Sequence, residues 1–492
     1  MNVTTIDLLI VGIYFIAMIV IGLYFSRQVH DSEDYAVAGR SLRLPVLVGT
    51  LVGTAIGAAA TFGNAGKAYE VGYIILFSSL SYIIGYIIFS FIAPKIHEAE
   101  INSIPDALER RYGKSMRLIA AVVLMVTLIA IFGAQLIAFG ITASAVFSET
   151  GLNYETAILI GTLIIILYTI FGGLLAVAYT DMIQVVIMVI AIGILLPLCI
   201  AYNLPDEQNF IDLLQSPQVD FWSGLDLGFL LALIPTYLAF VLIDPTIWQR
   251  VAAAKNASDL RPAMLITAAI YAFWALIVVS LGVIAFNLMP ELSSGDVAIP
   301  TLVISHLPPV VKGFCLAALM AIMMSTADTV LLLAGTTFSG DIVKVLKPTL
   351  TDKSQLKINR SAILIIGIIG SIFALQRSSI FEVMMLAFGI FVSGLFIPVM
   401  AALFWQKATN FAALSSGLIG VLTQLSLFAF QSTGVIAIGV PPILIALSAS
   451  FLCMWLFGNL TYSTTETNAP LLVNNPAVSE PDIEQEHCNE AN

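Results

Sequence analysis

The sequence predicts an all-α membrane protein of about 13 transmembrane helices. Three observations carry the prediction. The 492-residue chain is 59% hydrophobic and only 10% charged, against about 25% charged residues in soluble domains. Runs of the length needed to cross a bilayer, about 20 mostly apolar residues each, fill nearly the whole chain. Basic residues recur at intervals that match alternate crossings.

The expected spans are 6–26, 44–66, 73–96, 117–147, 154–174, 181–202, 225–246, 263–288, 311–338, 360–376, 381–405, 411–430 and 438–458. No Lys or Arg precedes the first, and it is long enough to span, so it reads as a true helix and not as a signal peptide. With the N-terminus outside, seventeen of the twenty Lys and Arg residues fall on the cytoplasmic side, Arg250 among them; Lys67, Lys312 and Arg377 do not. This asymmetry gives the orientation, with the C-terminus cytoplasmic. The loop at 203–224 is acidic and has no Lys or Arg, as suits an external loop.

No linker long enough to separate domains appears, so 1–460 reads as one transmembrane domain. The tail, 461–492, is expected to be a disordered, acidic cytoplasmic segment: from Asn459 onward there are six acidic residues and no Lys or Arg. That tail accounts for much of the net charge of −11. No stretch combines basic and aromatic residues in the way nucleic-acid binding needs. Cys199, Cys315 and Cys453 read as apolar fillers and Cys488 lies in the tail, with no metal-ligand spacing among them.

Two spans break helical rules. In Gly53–Gly66, eleven of fourteen residues are Gly, Ala or Thr, and Gly costs about 1 kcal/mol against Ala inside a helix. The stretch packs closely, unwinds, or both. Span 225–246 holds Pro235 and Pro245, each of which removes a backbone donor. Unwound backbone at membrane depth is tolerated only where it is buried in protein or lines a cavity. Each of these spans is the first of five consecutive helices, 44–202 and 225–405. Five is odd, so the second set is inverted relative to the first. Interrupted spans in matching places point to a transport site. The plain alternative for 53–66 is close packing of helices through small residues.

Several motifs resemble the sodium:solute symporter family: Gly172-Gly173-Leu174-Leu175-Ala176-Val177-Ala178-Tyr179-Thr180-Asp181-Met182-Ile183-Gln184, then Tyr35-Ala36-Val37-Ala38-Gly39-Arg40-Ser41, Ile104-Pro105-Asp106-Ala107, Met324-Ser325-Thr326-Ala327-Asp328-Thr329 and Trp248-Gln249-Arg250. The resemblance covers about 1–460 and implies the leucine-transporter-type fold, a 5+5 inverted-repeat core with a discontinuous first helix in each repeat. It also implies Na+ as coupling ion, held by backbone carbonyls of Gly53, Ile56 and Ile322 and by hydroxyls of Ser325 and Thr326. Neutral oxygens suit a hard cation that must also leave. The competing reading is that Ser325 and Thr326 bond back to their own helix.

Asp328, one turn beyond Ser325, and Asp181 are accessory candidates. A carboxylate in a membrane helix defaults to function, although Asp181, three residues before Gln184, also has capping-box spacing. Within the resemblance, the solute candidates are Thr54, Thr61, Gln135, Tyr237, Asp244 and Trp248. Asp244 stands where the choline-transporter branch has an aromatic residue. It would attract a cationic or zwitterionic solute, or else simply cap a helix opened by Pro245.

The expected function is sodium-coupled uptake of a small polar organic solute across a plasma or inner membrane. The expected partners are the solute, sodium and the lipid bilayer, with no nucleic acid and no obligate protein partner. The alternatives are a proton-coupled carrier using Asp328 or Asp244, and a symporter-like sensor. No nucleophile–base constellation points to an enzyme, no Walker loop points to ATP, and no charged ring or repeated filter points to a channel.

Overall fold

The computed structural model describes residues 3–147, 152–204, 209–215, 227–376, 379–432, 439–462 and 469–472. Helices dominate. The described residues hold no strand, only an isolated bridge between Leu42 and Ala254.

Among the described residues, eleven helical stretches are long and apolar enough to cross a membrane, and Leu44–Ala55 is a shorter apolar helix. The difference from thirteen lies at glycines. Tyr154–Tyr202 runs as one 49-residue stretch in which Gly173 alone is non-helical (φ 60°, ψ −174°), a region open essentially only to glycine. Along helix Thr5–Ser26, Tyr14 meets Gln184 and Phe25 stacks on Tyr179, yet Gly22, lying between them, faces Tyr168. A straight helix would carry Tyr168 well past Phe25. The chain therefore turns back at Gly173. A side chain there would also meet Tyr35 at 3.2 Å. Helix resumes immediately after the turn, so Asp181 lies inside a helix and is not the cap that its spacing to Gln184 predicted. Gln184 instead donates to the Tyr14 hydroxyl (2.7 Å).

Helix Val311–Thr336 is the axis of the bundle. The apolar window of its span is entirely buried, whereas that of Thr5–Ser26 is 22% buried. The outer helix turns Leu9, Ile13, Ile16 and Val20 outward, as a lipid-facing helix does. At the axis helix's start, Asp7 accepts from the backbone N–H groups of Val310 and Gly313, both at 2.9 Å, satisfying donors that a helix start leaves unpaired.

Both broken spans are present. The first is helix Leu44–Ala55, a break at Ile56–Ala58, a wide turn Ala59–Gly63 and helix Asn64–Val71. The second is helix Leu227–Leu242, a break, and helix Pro245–Ala253. Leu42, just before the first, bonds to Ala253 and Lys255 at the end of the second (3.1 and 2.8 Å). The two broken spans therefore run in opposite senses past one another.

Helix Pro245–Ala253 extends beyond the predicted span end at 246. Arg250, counted above among the loop cations, is consequently inside the protein and fully buried. Of the predicted tail, 469–472 is ordered against the bundle: Leu471 and Leu472 donate to the terminal carbonyls of Ala402 and Leu403 (3.1 and 3.2 Å). The expectation of disorder is corrected for these four residues. Residues 463–468 and 473–492, including Cys488, lie outside the described residues.

Between spans, the turn at Asp296 joins three elements. Its carboxylate accepts from Ile380 N at the start of helix Ile380–Phe404 (3.2 Å), and its backbone packs on Gly66. Burial pushes the Asp296 carboxyl up to about 6 from 3.8; neighbouring Glu70 and Glu382 add to the rise, while the Ile380 bond and Lys67 oppose it. A carboxyl that holds its proton more tightly when folded gives stability that is present below the unfolded value and is lost as pH rises through the folded one. Thermal unfolding of the detergent-solubilised protein should therefore show a falling contribution between about pH 4 and pH 6. Asp296→Asn should lose that pH-dependent contribution; an unchanged profile would show that Asp296 is not its source.

Candidate functional site

In an apolar solvent each freed backbone group needs a partner, and the site is built where the two breaks find theirs. At the first break, Ile56 (φ −87°, ψ 61°) leaves the helix. The Ala58 N–H beyond it donates to Gln135 Oε1 (2.9 Å), from helix Lys114–Val146. At the second break, Asp244 Oδ1 caps the new helix, accepting from Thr246 N and Thr246 Oγ1 (2.8 and 2.6 Å). The Trp248 indole N–H returns to the freed Leu242 carbonyl (3.2 Å).

The first break faces the axis helix through its hydroxyls. Ser325 Oγ donates to the Gly53 carbonyl (2.9 Å) and lies 3.4 Å from that of Ile322, while Thr326 Oγ1 donates to the Thr54 carbonyl (3.2 Å). The predicted back-bond of Ser325 to its own helix is thus the longer of its two contacts. Glycine makes the approach close: a side chain on Gly57 would meet Thr326 Oγ1 at 2.5 Å. Gly53, Ile322, Ser325 and Thr326 are brought together, with Ile56 at the break beside them. The oxygens are carbonyls and hydroxyls from two helices, a neutral donor set suited to a monovalent hard cation. Among the described residues, no cluster of His, Cys, Asp and Glu is arranged to hold a metal.

A cavity adjoins this ring. Its lining atoms leave about 570 Å³ between them, the open solvent at its mouth included, and Thr54 and Thr326, joined at the ring by the bond from Thr326 Oγ1 to the Thr54 carbonyl, both line it. Of the solute candidates, Thr54, Gln135, Tyr237 and Asp244 line it. Trp248 and Thr61 do not. Trp248 staples the second break as above, and Thr61 accepts from the Trp274 indole (3.2 Å). Tyr82 and Tyr271, with ring centroids 4.8 Å apart, complete a wall the sequence did not single out. Phe240 and Phe388, stacked at 3.7 Å, form another.

Beneath the cavity lies Arg250. Its guanidinium donates to Thr50 Oγ1 (3.0 and 3.2 Å), Thr54 Oγ1 (3.0 Å) and Thr329 Oγ1 (2.7 Å), and it stands 3.7 Å from Asp181 Oδ2. Thr50 also donates to that carboxylate oxygen (2.6 Å). One side chain of the second broken span thereby grips the first broken span, the axis helix and the helix that follows Gly173. Asp181 Oδ1 has no partner and lies beside Gly53, where a side chain would come within 3.4 Å of it. Asp328 is placed differently: it is bonded by the Tyr168 hydroxyl and by Thr329 N and does not line the cavity.

The fold and site define a polytopic helical protein in which a ring of neutral oxygens at the first break adjoins a cavity between the two broken spans. Residues 35–420 match the family model described as the sodium:solute symporter family, and the chain belongs to that family. It is 27% identical over 442 residues to the osmoregulated proline transporter OpuE of Bacillus subtilis, covering 84% of this chain and 87% of that one. It is 28% identical over 453 residues to the sodium/pantothenate symporter of Haemophilus influenzae, covering 88% and 93%. A solved Na+-coupled sialic acid symporter in a substrate-bound outward-open state superposes with TM-score 0.77 at 20% identity, covering 93% of this chain and 98% of that one. MhsT in complex with L-phenylalanine superposes with TM-score 0.52 at 16% identity, over 85% and 98%. The fold is the leucine-transporter type that the resemblance implied.

Removing one partner of a buried ion pair typically costs about 3–5 kcal/mol, because the other charge is left uncompensated. Arg250→Met should therefore lower the unfolding temperature strongly. Adding Asp181→Asn should recover much of the loss, giving a coupling above about 1 kcal/mol in a double-mutant cycle. Additive losses would show that the two side chains do not act together.

Proposed function

We propose that the chain is a symporter that moves one small polar organic solute together with sodium, by alternating access around the two helix breaks. The observation that carries this reading is the shared wall: Thr326, whose hydroxyl donates to the Thr54 carbonyl at the first break, lines the cavity together with Thr54 itself. Sodium in the ring would hold the first broken span to the axis helix and so shape the cavity. The solute would in turn stabilise the ring, since coupling between two sites is reciprocal. With no reaction to perform, the site needs binding and release but no covalent chemistry.

The opposite senses of the two broken spans support an inverted repeat of 44–202 and 225–405. The basic-residue asymmetry supports an outside N-terminus and a cytoplasmic C-terminus. Relatives that carry proline, pantothenate or glucose differ in the cargo their names state, so the cargo of this chain is to be sought in its own cavity.

In proteoliposomes, a sodium gradient should drive solute accumulation and an equal potassium gradient should not. Ser325→Ala and Thr326→Ala each remove one ligand oxygen and should weaken apparent sodium affinity about tenfold or more, the cost of about one charge-assisted contact. Accumulation driven equally by potassium, or by a pH gradient without sodium, would contradict the sodium assignment.

A further inference from the structure

We propose that the solute is a small zwitterion whose ammonium carries N–H groups, an amino or imino acid. The proposal rests on the symporter reading of this cavity. Among the described residues that line the cavity, Asp244 is the sole acidic one and there is no Lys, Arg or His. Its Oδ1 is committed to the helix cap. Its Oδ2 has one long contact, 3.4 Å from the hydroxyl of Tyr82, itself a lining residue. A carboxyl oxygen with only this long contact is thus available as an acceptor on the side of the second break.

The first break offers the opposite polarity. Gln135 spends Oε1 on Ala58 N, and its Nε2, a double donor, is buried and unpartnered. The helix start at the second break already carries the Asp244 carboxyl group, so a solute anion is disfavoured at that end and drawn to the Gln135 amide at this one. Sodium in the adjoining ring adds positive charge on the same side.

The cavity is therefore polarised, with donors and sodium at one wall and a carboxylate at the other. The Tyr237 hydroxyl, buried and without a partner, is one more polar atom awaiting a ligand. Phe240 and Phe388 supply an apolar surface for the solute's body. A carboxylate acceptor satisfies an N–H-bearing ammonium better than a quaternary one, which has no hydrogen to give.

The test is binding to the purified full-length protein, by calorimetry and thermal shift, in sodium and in potassium. The probes are L-alanine and L-proline, each against its deaminated acid (propionate, cyclopentanecarboxylate) and its decarboxylated amine (ethylamine, pyrrolidine), with trimethylglycine and glucose alongside. The expected result is sodium-dependent binding of at least one zwitterion, with its two truncated partners weaker by about 100-fold, the scale of losing one side of a buried charge pair. Asp244→Asn should weaken the zwitterion similarly while leaving the truncated acid unaffected; Asn caps a helix as well as Asp, so the break persists and only the charge is lost.

Equal binding of the deaminated acid, tighter binding of trimethylglycine, binding of glucose alone, no binding of either zwitterion, or unaltered affinity in Asp244→Asn would each overturn the assignment. Binding of a zwitterion equally in sodium and potassium would leave the class standing and contradict the symport reading instead.

Discussion

A backbone amide stranded in hydrocarbon costs several kcal/mol, and this chain interrupts two helices at membrane depth. Everything distinctive in the site follows from how those interruptions are repaired. Gln135 takes the N–H freed at Ala58, Trp248 takes the carbonyl freed at Leu242, Asp244 caps the helix that restarts, and Ser325 and Thr326 donate to the carbonyls of Gly53 and Thr54. The last repair is the replaceable one. A hydroxyl that donates to a carbonyl can rotate and offer its lone pairs to a cation instead, and the carbonyl then serves the same ion. A cation bound there would exchange for the hydroxyl protons at a backbone defect.

Arg250 gives the defect a mechanical frame. A fully buried guanidinium is tolerated only when its donors are met, and here three threonine hydroxyls and Asp181 meet them. Because those partners sit on three different elements, helix Pro245–Ala253 cannot shift without breaking several bonds together. That arrangement favours two discrete positions over gradual sliding, which is what alternating access requires.

The breaks were legible because Gly, Ala and Pro change backbone energetics directly, and those costs can be read from the sequence alone. Ser325 and Thr326, singled out through the resemblance, do meet the backbone of the first broken span. What sequence could not show is where a side chain points. Trp248 and Thr61 sit in the right spans, yet one turns to a freed carbonyl and the other to Trp274. Asp181 looked like a cap because its spacing to Gln184 fits one, but the turn at Gly173 restarts the helix well before it. Arg250 was assigned to a loop by the rule that charges avoid the bilayer. The corrective signal was present: Pro245 after Asp244 marks a helix start, so a residue five positions on is helical and not in a loop. Its partners, the threonines at 50, 54 and 329, are distant in sequence and had no local signature.

Sodium bound at the first break would replace the hydroxyl–carbonyl bonds found there. Hydrogen–deuterium exchange of the purified protein in sodium against potassium addresses this replacement most directly. Exchange is expected to be slower in sodium over residues 53–60 and 322–329, the two sides of the ring. Identical exchange over both segments in the two salts, with any difference confined to other helices, would contradict sodium binding there.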